Sequence, residues 1–381
     1  EAWPAPGSPE GKWGVQMILA AKNDHVTCLE LVNACAVLGT ASGSVMVADA
    51  LQRRIERHRV ATEPIQSLAL LNGGKEAAVC LRSGAVLAFN LSTGHLRATL
   101  LRCHGEGAPP VLKVVACGSQ LATVSISKVV LWDLEGWAPR AEISPPAGTF
   151  FTSMRAHRDS AGRDCLLGVL SDDTVGLWRA VGGALEARFQ VPSSEGEVGL
   201  CDADACPGFV VAGSGNGFVY FWNADTKALS FVVEMPEGAG LVTQVAVIGQ
   251  SMRVLVLCND GRLMVISNPL SGTCTVLSDF SLGPCSSSAS LFNVSACGTY
   301  MMAVERLSTA RLYDLRITST WTQALREHIQ ALDPESSFDL YCRPPLPSSE
   351  LAAEVPAAAF ADAEAAAAAR SRQPLKPRQP A

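Results

Sequence analysis

Short apolar runs, each about one β-strand long, alternate with turns rich in Gly, Asp, Asn and Ser along most of this chain. One run, Val129-Val130-Leu131-Trp132-Asp133-Leu134, ends in an aromatic residue and an acid, and worn copies of it recur. The copies close on Asp49, Asn90, Asp133, Arg179, Asn223, Asn268 and Asp314, in steps of 41, 43, 46, 44, 45 and 46 residues. Trp132, Trp178 and Trp222 stand just before three of these ends. Each copy sits in a unit of four predicted strands. In the first unit these are residues 25–32, 34–40, 44–50 and 55–61; in the sixth they are 241–248, 252–258, 262–267 and 273–277. Three strands of each unit are apolar on both faces, as a sheet packed between two neighbours requires. The fourth carries charge, as in Arg53-Arg54-Ile55-Glu56-Arg57-His58-Arg59, which blunts an exposed sheet edge.

A repeat of roughly 40–45 residues with four strands per unit is the signature of a β-propeller blade. Seven copies predict an all-β, seven-bladed propeller over residues 13–315. The seventh unit (strands at 287–294, 299–304 and 309–314) lacks an outer strand, and the early strand at 13–20 lacks a blade. The first is expected to be completed by the second, closing the ring and removing two free sheet edges. Residues 1–12 read as a loose N-terminus. Residues 316–333 read as a short amphipathic helix with Trp321, Leu325, Ile329 and Leu332 on one face, and 334–381 as a Pro- and Ala-rich linker or disordered tail.

Composition narrows the class. Of 381 residues 48% are hydrophobic and 17% charged, ample for a core, and a net charge of -6 lacks the basic footprint of a nucleic-acid binder. No apolar run is long enough to span a bilayer, and Glu1–Gly11 has no secretory-leader pattern. The 13 cysteines are scattered with no Cys-x-x-Cys pair, which predicts reduced core thiols in a cytoplasmic protein.

At Trp132-Asp133, Trp178 and Trp222-Asn223 the chain resembles the WD40-repeat family. That resemblance implies a hydrogen-bonded set within a blade: a His before the inner strand, a Ser or Thr, a turn Asp and the Trp. No blade shows the whole set. His104 precedes the third blade, but its turn, Ser125-Ile126-Ser127, has no Asp. Asp172 or Asp173 shares the fourth blade with Trp178, but no His precedes them, and Asp260 in the sixth has no Trp partner. Segments such as Glu234-Met235-Pro236-Glu237, Asn259-Asp260-Gly261-Arg262 and Ser295-Ala296-Cys297-Gly298-Thr299-Tyr300 also resemble the N-terminal propeller of WD-repeat proteins that carry a Rab-GAP-like TBC domain. The resemblance implies association with centrosomal satellites, basal bodies and cilia.

The sequence has no phosphate loop, no zinc motif and no nucleophile elbow. Gly213-Ser214-Gly215-Asn216-Gly217 and Ser171-Asp172-Asp173-Thr174 read as strand-to-strand turns. The expected function is a non-enzymatic interaction scaffold with protein partners and no cofactor or metal. Candidate contacts are the basic cluster Arg53, Arg54, Arg57 and Arg59, set against its reading as a solvated outer strand, and the helix face of Trp321, Leu325 and Ile329. Leu312-Tyr313-Asp314-Leu315-Arg316 resembles the box by which some WD40 proteins join cullin-RING ubiquitin ligases, with Arg316 as the contact. That box and a Rab-regulator role are the alternatives.

Overall fold

The computed structural model describes residues 15–20, 24–32, 34–49, 54–192, 198–235, 240–248, 253–267, 275–281, 292–294, 300–305 and 309–314. They form seven antiparallel four-stranded sheets. Blades 1 to 6 take residues 26–59, 65–100, 113–143, 151–190, 200–234 and 242–281 in sequence order. Blade 7 has three strands of its own, Phe292–Val294, Tyr300–Glu305 and Thr309–Asp314, and takes Val15–Ala20 as its outer strand. Ile18 lies opposite Arg311, and Ala20 opposite Thr309. The N-terminal strand thus closes the ring as expected.

The core lies between the blades rather than within any one. Seven buried apolar clusters each straddle one seam. In the cluster joining blades 5 and 6, Phe209, Phe221 and Phe231 pack with Val242, Val256 and Ile266. This explains the two-faced hydrophobicity of the second and third strands. Glu76–Leu81 is buried at every position, whereas the outer strand Leu96–Leu100 is exposed or half-buried throughout. Burying a large apolar side chain contributes ~1.5–3 kcal/mol, so the seams supply most of the stabilisation.

Two glycines show how tightly the sheets are set. Gly43 turns between the second and third strands of blade 1 with φ of +80°, and a Cβ there would lie 2.5 Å from the Ala61 carbonyl oxygen. Gly176 leaves room for the Trp178 indole, 2.2 Å from where its Cβ would stand.

Three of the markers that close a copy, Asn90, Asp133 and Asn223, are turn builders. Asn90 Oδ1 accepts from the Ser92 and Thr93 amides, both at 3.0 Å. Asn223 Oδ1 accepts from Asp225 at 3.0 Å and Thr226 at 2.8 Å, and Asp133 Oδ2 from Gly136 at 3.2 Å. A short amide or carboxylate side chain at this position folds the loop to the outer strand, which accounts for the repeated Asp or Asn. The outer strands differ from expectation. Blade 1 has Arg54–Arg59 rather than 55–61, and blade 6 has Thr275–Ser281 rather than 273–277. The stretches 1–12, 316–333 and 334–381 lie outside the described residues, and with them the expected helix.

Candidate functional site

The strand order of each blade sorts its loops between the two ends of the ring. Loops joining second to third strands, and loops joining one blade to the next, share one end, which we call the mouth. Loops joining first to second and third to outer strands share the other end.

On the mouth side of blade 3 a buried relay has formed. Trp132 Nε1 donates to Thr123 Oγ1 at 2.9 Å, and that oxygen lies 2.9 Å from His104 Nε2. His104 Nδ1 lies 3.0 Å from Ser125 Oγ, which donates to the Lys128 carbonyl at 3.0 Å. Either neutral tautomer of His104 finds partners. With Nδ1 protonated the bonds run Trp132 to Thr123, Thr123 to His104 Nε2, His104 Nδ1 to Ser125 and Ser125 to Lys128. With Nε2 protonated the ring donates to the Thr123 carbonyl at 3.1 Å and Thr123 Oγ1 to the Val130 carbonyl at 3.3 Å. Burial lowers the His104 pKa, which keeps the ring neutral as the relay requires. Ser125 therefore fills the place of the absent turn Asp, and the set missing from the sequence pattern is present with a hydroxyl. Thr40 and Ser214 bridge the equivalent turns of blades 1 and 5 in the same way, bonding the carbonyl and amide of Ser44 and of Phe218. That recurring hydroxyl at the end of the second strand was the available sequence signal.

The inner strands of all seven blades line a central channel of about 930 Å³. Its wall carries Glu30, Lys113, Arg155, His157 and Asp204, which interrupt otherwise apolar strands. Arg155 holds Asp202 at 2.5 Å and lies 3.8 Å from Asp204. Burial works against its guanidinium, but the carboxylates of Asp202 and Asp204 outweigh burial and hold the pKa above its ordinary value. Burial pushes the Glu30 carboxyl up to about 7, against the pull of Lys113 and Arg155 and a hydrogen bond from Asn293. Burial likewise raises Asp204 and lowers Lys113 and His157.

Polar ties cross every seam of the ring. Thr27 Oγ1 donates to the Ile65 carbonyl at 2.5 Å, and the Val114 amide to Ser67 Oγ at 3.1 Å. Cys117 Sγ donates to the Cys165 carbonyl at 3.4 Å, and Ser153 Oγ to Asp202 at 2.9 Å. Asp202 and Asp204 accept from the Val245 and Val247 amides at 3.2 and 2.8 Å. Gln244 accepts from the Phe292 amide at 3.1 Å, and Asn293 donates to Glu30 at 2.9 Å, closing the circuit.

Eight large hydrophobic side chains are exposed among the described residues, and Leu101, Leu112, Ile126, Phe150 and Leu241 stand at the mouth end. Leu112, Ile126 and Phe150 share one corner of it, at blades 3 and 4. The Phe151 amide donates to the Ile126 carbonyl at 3.0 Å, and the Leu112 amide to the Val124 carbonyl at 2.8 Å. Leu112 also lines the channel, so this apolar corner runs into the lumen.

The residues singled out in the sequence are dispersed. Arg57 reaches Asp24 at 3.0 Å, a buried carboxylate that also accepts from the Ser42 amide at 3.0 Å. Arg54 pairs with Glu56, while Arg59 is exposed. Arg53, Arg316, Trp321, Leu325 and Ile329 lie outside the described residues. Trp178 packs edge-on against Phe151 at 5.5 Å, and Trp222 Nε1 donates across a seam to the Gln190 carbonyl at 3.0 Å. Asp172 and Asp173 serve different partners: Arg188 at 2.8 Å for the first, the Val198 and Leu200 amides at 2.8 Å for the second. They are turn residues rather than paired carboxylates. Asp159, Cys165 and Glu186 converge, with ligand atoms within 4.8 Å of one another. Arg163, 2.6 Å from Asp159, and Arg179, bonded to Glu186, already neutralise the two acids. The nine described cysteines are free thiols, and no helix among the described residues is long and apolar enough to cross a membrane.

No family model and no curated protein matches the chain. Among solved structures, the crystal structure of the WD40 beta propeller domain of Doa1 is similar, with a TM-score of 0.61 at 10% sequence identity. The match covers 78% of this chain and 95% of that one. At that identity the likeness concerns the fold, and it agrees with the strand order and the ring closure: the chain has the fold of a seven-bladed WD40-type β-propeller.

Proposed function

We propose that the ring is a protein-interaction platform whose contact surface is the mouth corner at blades 3 and 4. The observation that carries this reading is the exposure of Leu112, Ile126 and Phe150 on segments bonded to one another through the backbone, where the channel opens. Three of the eight exposed large hydrophobics gathered at one corner of the rim, beside the channel opening, mark a surface for a partner. The seam clusters and polar ties make the ring rigid, so little ordering cost accompanies binding. The test is proximity labelling with the full-length protein and with its L112S/I126S/F150S variant. Each anchor lost from a contact weakens it roughly tenfold. The labelled set should therefore collapse in the variant while its melting midpoint holds. An unchanged set would overturn the reading.

The finer reading is that this ring is the propeller part of a WD-repeat, TBC-domain protein acting in the cytoplasm at the centrosome or cilium base. It is supported by the resemblance of Glu234-Met235-Pro236-Glu237 and the segments that accompany it. A full-length reading frame without a downstream TBC domain, or a tagged protein away from the centrosome, would remove it.

A further inference from the structure

Two charges in the channel have no ion-pair partner among the described residues. Lys113, on the inner strand of blade 3, makes no ion pair or hydrogen bond with any described residue, although it lines the lumen. Glu30, on the inner strand of blade 1, is bonded through its carboxylate to the amide of Asn293 and has no cationic partner within ion-pair distance among the described residues. Lys113 is attracted by Asp202 first and by Glu30 after it, and Glu30 by Lys113 and Arg155, in each case without an ion-pair contact. The surrounding chain treats charge differently. Arg155 is held by Asp202, Arg158 by Asp164 at 2.9 Å and Arg163 by Asp159 at 2.6 Å. A half-buried charge without an ion-pair partner is costly, and this lumen contains one of each sign. Burial displaces both groups toward their neutral forms, as expected when neither has a close counter-ion. Lys113 directly follows Leu112, so the unpaired cation stands just inside the apolar corner.

We propose that the channel takes an extended peptide segment carrying an acidic and a basic side chain close together, the acid placed on Lys113 and the base on Glu30, with an apolar neighbour seated on Leu112, Ile126 and Phe150. The proposal rests on the platform reading above and adds the chemistry of the partner. A ligand of one sign would satisfy one group and meet repulsion from the other; a dipolar segment satisfies both. The apolar corner supplies affinity at the rim, and the two charges fix direction, because acid and base cannot exchange places without meeting like charge.

The test uses a displayed library of random linear peptides selected against the full chain, then affinity measurement on the enriched peptides. Enriched sequences should carry neighbouring acidic and basic residues beside an apolar one. K113M should erase the preference for the acid and E30Q that for the base, each weakening binding about tenfold. The E30K/K113E exchange should invert the order of acid and base in the selected peptides. K113M and E30Q each remove a half-buried charge that has no ion-pair partner, so both should fold, which circular dichroism and the melting midpoint verify. Enriched peptides that ignore both substitutions, or no enrichment on a folded protein, overturn the proposal. Peptides that depend on Leu112, Ile126 and Phe150 yet ignore the lumen charges overturn it while leaving the platform reading in place.

Discussion

Thr123 is the joint of the blade 3 relay, and replacing it with Val removes the hydroxyl while keeping the shape. Its Oγ1 accepts from Trp132 Nε1 at 2.9 Å and lies 2.9 Å from His104 Nε2. Thr123 is fully buried and His104 is 6% exposed, so water cannot replace the lost partner. T123V leaves the Trp132 indole N–H unsatisfied, at ~1–3 kcal/mol, while His104 Nε2 keeps the Thr123 carbonyl 3.1 Å away. For a domain of this size each kcal/mol lowers the melting midpoint by ~2–4 °C, which places the expected loss at ~2–12 °C. T123S keeps the hydroxyl and loses a methyl group, at a cost of ~1 kcal/mol. Thermal unfolding followed by tryptophan fluorescence compares the two, and hydrogen exchange across residues 113–133 reports the same site locally. If T123V is no less stable than T123S, the relay contributes nothing and the reasoning fails.

G176A should destabilise the ring by ~1–3 kcal/mol, because the new Cβ displaces the Trp178 indole. G136A, whose nearest neighbour is 3.6 Å away, should be close to neutral, and equal melting midpoints for the two would contradict this. Glu30 gives a pH signature. Its carboxyl titrates near 7 in the folded ring against an ordinary value of 4.5, so as pH rises from about 4.5 the unfolded chain gives up its proton first. Wild-type stability therefore falls on this account up to about pH 7 and is level above it. E30Q lacks this slope, and its advantage in melting midpoint over wild type should grow from pH 5 to pH 7.5; a constant difference would show that Glu30 titrates normally.

The third strands were the most legible part of the chain. They are buried on both faces in the middle of every blade, so their apolar pattern is strong, and their Asp or Asn ends have a turn to build. Their ends match the sequence reading at six blades, and in the sixth the strand ends at Ser267, one residue before Asn268. Outer strands bury only one face, so polar flanks blurred their limits at Arg54–Arg59 and Thr275–Ser281. The relay was half legible. His104 and Trp132 were visible, but Ser125 stands in place of the motif's Asp, and its only signal was the hydroxyl that recurs at Thr40 and Ser214. The lumen was not legible. Arg155 and Asp202 are 47 residues apart, and Glu30 and Asn293 are 263 apart, so only closure of the ring brings them together. The mouth corner arises from three loop-end residues with no periodicity. The basic run at Arg54–Arg59, conspicuous in sequence, spends Arg57 and Arg54 on ties within blade 1.

The most direct test of the platform is lysine cross-linking of the full-length protein to its proximity-labelled partners, read by mass spectrometry. Lys128 stands in a mouth-end turn and Lys113 just inside the channel, while Lys75 and Lys227 lie in loops at the opposite end. Partner cross-links concentrated on Lys128 and Lys113 are the predicted result. Cross-links concentrated on Lys75 and Lys227 would place the contact surface on the other end of the ring and contradict the account.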